Sequence, residues 1–227
     1  MNIGVCKETN PFDRRVALTP PVVPQLTSRG HIGWVESGAG AGAMFSDDAY
    51  LRAGANIAYT AAEVLRRCSV TVRVTGPSAA ELKNCPEGAA IMAFYHMAVA
   101  GSSVFPALLE HKITAIGCEI LQRADGRFPV LAAVSEIAGQ MTVSLATHLL
   151  RSSMGGRGIL LGGSPGVPPA RIAILGAGTV GSWAARAAVT AGARVTVLDI
   201  DTDKLRRVLE PVPNAETALA EPESIAE

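Results

Sequence analysis

The stretch RIAILGAGTVGSWAARAAVTAGARVTVLD, residues 171–199, decides how the rest of the chain is read. Ile172 to Leu175 has the continuous apolar pattern of a strand buried on both faces, and Gly176-Ala177-Gly178-Thr179-Val180-Gly181 is a GxGxxG turn. Small residues from Ser182 to Ala191 suit a closely packed helix, and Arg194 to Leu198 reads as a second strand ending at Asp199. A lone GxGxxG is weak. Set between strand and helix in a βαβ unit, with an acidic residue about 20 positions beyond the glycines, it is strong.

Each part has a physical task. Gly176 permits the tight turn, Gly178 removes a side chain that would block a pyrophosphate, and Gly181 lets helix and strand pack closely. The phosphates then meet free backbone N–H groups at the positive helix end. Asp199 would accept hydrogen bonds from an adenosine ribose and repel a 2′-phosphate, which favours NAD over NADP. Two plainer readings stand beside this one: a glycine turn without ligand, and Asp199 as a helix cap ahead of Thr202.

Outward from this unit, short apolar runs alternate with amphipathic segments, which predicts parallel α/β architecture. Strands are expected at Asn2 to Val5, Ile32 to Val35, Val70 to Val74, Ala90 to Tyr95 and Ile113 to Ile116. Thr19 before Pro20, Ser46 before two aspartates, and Thr60 with Glu63 as a capping box predict helix starts. The expected organisation is a flavodoxin-like or Rossmann-like parallel-sheet domain, the substrate domain, over residues 1–130, followed by a connecting helix and an incomplete NAD-binding Rossmann domain over 131–210. The helix runs from Ser135 to Arg151, and the glycine-rich run from Gly155 to Pro169 reads as a hinge. Residues 211–227, acidic and without Lys or Arg, read as a solvated, poorly ordered tail.

Composition narrows the function. Twenty Lys plus Arg balance 20 Asp plus Glu, so no overall field favours nucleic acid or an anionic membrane. The four scattered cysteines, with no CxxC pair, suit reduced thiols of a cytoplasmic protein, and no histidine pair has metal-ligand spacing. Lys7 and Glu8 follow the first six residues too soon for a signal peptide. The uncharged stretch from Gly88 to Phe105 is too interrupted to cross a bilayer.

Two further positions carry candidate chemistry. Arg14 and Arg15 occupy a loop between the first strand and a helix, where a guanidinium can clamp a carboxylate through two parallel hydrogen bonds, although solvent exposure suits the same residues. His96 follows the strand-like run IMAFY, at the carboxyl end where α/β folds place ligands; an ordinary imidazole pKa of ~6.5 suits proton transfer near neutrality. A quiet structural role is the alternative.

With these residues in hand, the chain resembles the alanine dehydrogenase and nicotinamide nucleotide transhydrogenase family. The matching stretches are IGVCKE, RRVALTP, ESGAGAGAMFSDDAYLRAGA, FYHMA, ADGRFPVLAAVSEIAGQM, GGRGILLGGSPGVPPARIAILGAGTVG and VTVLDIDTDKLR, across residues 2–208. The FYHMA histidine and the GGRGILLGGSPGVPP segment resemble the dehydrogenase branch, since transhydrogenase domains generally lack that histidine. The resemblance implies that Arg15 binds the carboxylate of pyruvate or L-alanine and that His96 is catalytic, bonding the substrate and assisting proton transfer. It implies NAD contacts at Ser135, Gly178, Thr179, Val180, Asp199 and Lys204, alongside Gly176 and Gly181 of the glycine turn, and a homo-oligomer. The implied reaction is reversible oxidative deamination of L-alanine to pyruvate and ammonia.

The sequence departs from the family pattern twice. The substrate-holding lysine of a K-V-K-E-P-like stretch is replaced by Thr75 in Arg73-Val74-Thr75-Gly76-Pro77, with Arg73 two residues earlier on the same strand face as a substitute source of charge. Residues 171–227 suffice for one βαβα unit and a tail, without the second mononucleotide-binding half or the family's late catalytic aspartate, so the chain reads as a natural truncation, a frameshifted product or a fragment. A non-catalytic NAD(H)-binding module, or a transhydrogenase-like nucleotide-binding subunit, is the competing expectation.

Overall fold

The computed structural model describes residues 1–98, 101 and 103–222. The chain divides into two compact units, Met1–Asp125 and Gly126–Glu227. The division falls a few residues ahead of the boundary expected near residue 130.

The first unit runs β1 (Asn2–Val5), α1 (Val23–Thr27), β2 (Ile32–Glu36), α2 (Asp47–Arg52), β3 (Asn56–Ala58), α3 (Ala61–Arg67), β4 (Val70–Thr75), α4 (Ala79–Leu82), β5 (Ala90–Phe94), α5 (Val104–Glu110) and β6 (Thr114–Gly117). Its sheet has the order β3-β2-β1-β4-β5-β6 with every pairing parallel. This is the Rossmann order rather than the flavodoxin one, and chain direction across the sheet reverses between β1 and β4. Loops leaving the carboxyl ends of those two strands therefore diverge and leave a crevice, which is where α/β folds bind ligands. Val5 lies opposite both Val35 and Val72, so the sheet centre is apolar on either side of β1. Two clusters flank it: one around Val5, Val23, Val35 and Tyr50, the other around Val64, Leu82, Ile91 and Leu108.

Local signals explain most boundaries. Ser46 accepts the Ala49 N–H at the start of α2, and Thr60 accepts the Glu63 N–H at the start of α3. The Glu63 carboxylate reaches back to Tyr59 N–H rather than to Thr60, so the expected box is offset by one residue. A reciprocal capping box forms instead at Ser78 and Glu81. Thr19 makes no side-chain cap: a 3-10 turn over Pro20–Val22 separates it from α1. All four cysteines are buried and unpaired.

The second unit contains α6 (Pro129–Leu149), β7 (Arg171–Leu175), α7 (Thr179–Thr190), β8 (Arg194–Asp199), α8 (Thr202–Leu209) and β9 (Glu216–Leu219). α6 starts ahead of Ser135 because Pro129, with its preset φ and no N–H to satisfy, suits the first helical position. Among the described residues it is the one helix long and apolar enough, by length and composition, to cross a membrane. One of its faces packs on α7, where Gly139 meets the Val180 carbonyl and the Trp183 side chain. The stretch Gly88 to Phe105 is divided between β5 and the start of α5, with Val99, Ala100 and Ser102 outside the described residues.

Parallel pairing joins the strands in the order β7-β8-β9. The second sheet thus has three strands in a βαβαβ unit, and the expectation of a solvated tail from residue 211 is corrected. Val212 and Ala215 are buried, and Thr196 to Asp199 pair with Glu216 to Leu219. Burying those two apolar side chains and completing a β8 ladder outweigh the acidic composition that suggested disorder. Residues 223–227 lie outside the described residues.

Candidate functional site

In the second unit the glycine turn is built as its sequence requires. Gly176 has φ +104°, a conformation that L side chains rarely adopt, and a Cβ at Gly181 would be driven into the Gly176 carbonyl. At Gly178 an added Cβ would meet nothing within 4 Å of the protein, so that side of the turn is open at the front of α7. Gly178 is the N-cap of α7 and offers no side-chain oxygen, so the first N–H groups of the helix are left for another acceptor. A cavity of about 1030 Å³ adjoins the turn and is lined by Ser135, Gly176, Gly178, Thr179, Val180 and Gly181 together with Arg127 and apolar residues of α6, β7 and α7.

Asp199 closes the far side. One carboxylate oxygen accepts Ala177 N–H at 2.7 Å and the other Asp201 N–H at 2.9 Å. Those backbone bonds, Ala177 first, hold its carboxyl below the usual carboxylate range. The alternative of Asp199 as a helix cap is excluded by geometry, because Asp201 caps α8 by accepting Asp203 and Lys204 N–H. Lys204 stands beside Asp201, Nζ to Oδ2 at 3.9 Å.

In the first unit the candidate residues gather at the carboxyl ends of β1, β4 and β5. Arg15 donates through Nε and Nη2 to the two carboxylate oxygens of Asp13, at 2.9 and 2.7 Å, and the Thr75 hydroxyl donates to the same Asp13 at 3.3 Å. The Arg15 side-chain bonds push the Asp13 carboxyl down to about 2, with burial opposing. Arg15 and Thr75 are thus brought together through an aspartate that the sequence reading passed over.

Thr75 owes its position to an irregularity. Val72 pairs with Met92 and Thr75 with Phe94, so two β4 residues stand against one of β5 between those pairs. Successive N–H groups of a regular strand point to opposite sides. Here Val74 and Thr75 both donate to one carboxylate, that of buried Glu8, at 2.8 and 3.1 Å. A second carboxylate repeats the device one strand over: Glu119 Oε1 accepts Tyr95 N–H at 3.2 Å and His96 N–H at 2.9 Å. Burial raises the Glu119 carboxyl, but its own amide and those of His96 and Tyr95 outweigh burial and leave it below the usual range.

His96 is held at φ +47°, a left-handed conformation costing a non-glycine residue roughly 1–3 kcal/mol. Its ring stacks on Phe94 at 5.9 Å, and with Tyr95 and Glu119 it lines a cavity of about 610 Å³. A strained histidine at a strand end, with its amide clamped, is an arrangement suited to aiming an imidazole.

Arg73 does not stand in for the missing lysine. It is buried and its Nη1 bonds Glu81 at 2.6 Å, so its charge is committed beneath α4. The shared strand face expected from alternation is interrupted by the irregularity between Val72 and Thr75, and the Glu81 carboxylate of the Ser78 capping box holds the guanidinium instead.

The first sheet and its strand-end residues, with the glycine turn of the second unit, define a two-unit α/β protein carrying a dinucleotide-type fold. The N-terminal domain of the alanine dehydrogenase/PNT family matches residues 4–138, and its C-terminal domain matches residues 142–227. The chain belongs to that family. It is 42% identical over 208 residues to an alanine dehydrogenase of Mycobacterium tuberculosis (strain ATCC 25618 / H37Rv), covering 92% of this chain and 56% of the relative. An alanine dehydrogenase of Methanococcus maripaludis is 41% identical over 219 residues, covering 96% and 58%. Among solved structures, an L-alanine dehydrogenase superposes with a TM-score of 0.88 at 34% identity, covering 99% of this chain and 62% of that one. A transhydrogenase from Sinorhizobium meliloti gives 0.76 at 27%, covering 96% and 64%. The chain spans just over half the length of the curated relatives it matches.

Proposed function

We propose that this chain binds NAD and serves an alanine dehydrogenase-type reaction, the reversible oxidative deamination of L-alanine to pyruvate and ammonia. The observation that carries the proposal is the open face of Gly178 at the front of α7, with Asp199 fixed at the end of β8. A dinucleotide fits those residues: the N–H groups at the front of α7, from Thr179 and Val180, would hold its diphosphate, Asp199 would accept from its ribose, and Lys204 and Ser135 would add further contacts. NAD bound there supplies the hydride acceptor. The chain's own residues do the rest. Arg15 holds the substrate carboxylate, Thr75 offers a hydroxyl beside it, and His96 gives or takes a proton at the substrate heteroatom.

One observation favours a second reading, a nucleotide-binding module without turnover. Thr75 brings no cation where the family carries lysine, and Asp13 already occupies two donors of Arg15. Calorimetric titration with NADH tests the shared part of both readings, and absent binding by the folded chain rejects both. Pyruvate- and ammonium-dependent oxidation of NADH then separates them: turnover supports the dehydrogenase, and binding without turnover supports the module.

Four buried thiols suit a reducing cytoplasm, and a homo-oligomer is the assembly proposed from family membership. Fractionation and sedimentation check these two points.

A further inference from the structure

We infer that Glu8 is a positioning residue for the substrate side of the first unit. Its carboxylate holds the β4 bulge and so fixes where the residue 75 side chain meets Asp13, the partner of Arg15. The inference rests on the proposed substrate role of Arg15 and Thr75.

Three observations carry it. Glu8 is 7% exposed, yet no ion pair to Glu8 is among the described residues; both oxygens are spent on consecutive backbone N–H groups. Those amides belong to the bulge, where β4 leaves register with β5 and where a buried N–H without an acceptor is unfavourable. The next contact outward is Thr75 hydroxyl to Asp13, which itself orients Arg15. The chain of contacts from Glu8 to Arg15 thus runs through the backbone turn that decides which way residue 75 faces. Bulges beside sites commonly re-aim a side chain, and here the carboxylate that answers the N–H groups at the irregularity is Glu8.

The discriminating variant is Glu8→Gln. A carboxamide can accept from one of the two N–H groups, while its own NH2 opposes the other. In the full chain, through-hydrogen-bond couplings should connect Val74 and Thr75 nitrogens to the Glu8 carboxyl carbon, and a nuclear Overhauser contact should join the Thr75 methyl to Asp13. In E8Q we expect the Thr75–Asp13 contact to vanish and the affinity for oxamate, a pyruvate isostere, to fall at least tenfold. NADH affinity should hold. A purely structural Glu8 would lower the melting temperature and leave oxamate affinity and the Thr75–Asp13 contact as they were, which overturns the inference. If the unsubstituted chain binds no oxamate, the substrate reading fails, and the Thr75–Asp13 contact in E8Q decides the positioning claim alone. If E8Q does not fold, absence of either coupling in the unsubstituted chain refutes the clamp, and presence of both upholds it.

Discussion

Asp13 turns both carboxylate oxygens onto Arg15, Nε at 2.9 Å and Nη2 at 2.7 Å, so the guanidinium expected to receive an incoming carboxylate already holds one. An external acid must use the remaining Arg15 donors or displace Asp13.

Replacing Asp13 with Asn removes the competing charge, and oxamate should bind several-fold more tightly by calorimetry. The same change costs little stability. Arg15 is more than half exposed, so the pair is worth about 1 kcal/mol or less. Because the Asp13 carboxyl is depressed to about 2 from an ordinary 3.8, that stabilisation is complete above pH ~4 and is lost as pH falls through the lowered value. Urea midpoints of the two proteins should therefore differ at pH 6 and converge toward pH 2.

Thr75→Lys places an ammonium beside the Asp13 carboxylate and the substrate position. A charged hydrogen bond of roughly 1.5–3 kcal/mol corresponds to about 10- to 150-fold. Pyruvate-dependent NADH oxidation should rise within that range, chiefly through a lower KM, in steady-state assays with ammonium saturating. An unchanged KM removes residue 75 from the substrate site.

Two glycine variants separate binding from folding. Gly178→Ala adds a methyl where the protein has no atom within 4 Å, so melting should shift by no more than a degree or two while NADH affinity falls tenfold or more. Gly181→Ala drives a methyl into the Gly176 carbonyl and should unfold the second unit or lower its melting sharply. Equal NADH affinity for the Gly178→Ala variant and the unsubstituted chain would remove the diphosphate from the turn.

Burial raises the Cys6 thiol to about 12 and the Cys68 thiol to about 11, and raises Cys85 and Cys118 as well. Reactive thiolate is therefore scarce at pH 8. A disulfide reagent should label the native chain slowly and release a stoichiometry of four only after denaturation.

Legibility in the sequence followed the range of the interaction. The glycine turn, its strand and its helix are consecutive, so their pattern is complete within residues 171–199, and the three-dimensional arrangement adds the Ala177–Asp199 bond that braces the turn. His96 drew attention because it follows a strand, at the carboxyl end where α/β folds place ligands, whereas Arg15 was a guanidinium in a loop whose proposed role came from the family resemblance. Glu8 and Glu119 were not visible, since Glu8 acts on amides 66 and 67 residues away and Glu119 on amides 24 and 23 residues away, which become available through a bulge and a left-handed turn. Asp13 had a local signal, a carboxylate two residues from Arg15, but its bond to Thr75 depends on β4. β9 was hidden by its acidic, proline-flanked setting, while the two buried side chains that anchor it are too few to make a pattern.

The bond from Ala177 N–H to Asp199 has a kinetic meaning. It braces the turn before any anion arrives, so the entropy of shaping that backbone is lost when the chain folds rather than at the encounter. Association should then approach the rate set by diffusion and orientation, and differences among nucleotides should show themselves in how long each one stays.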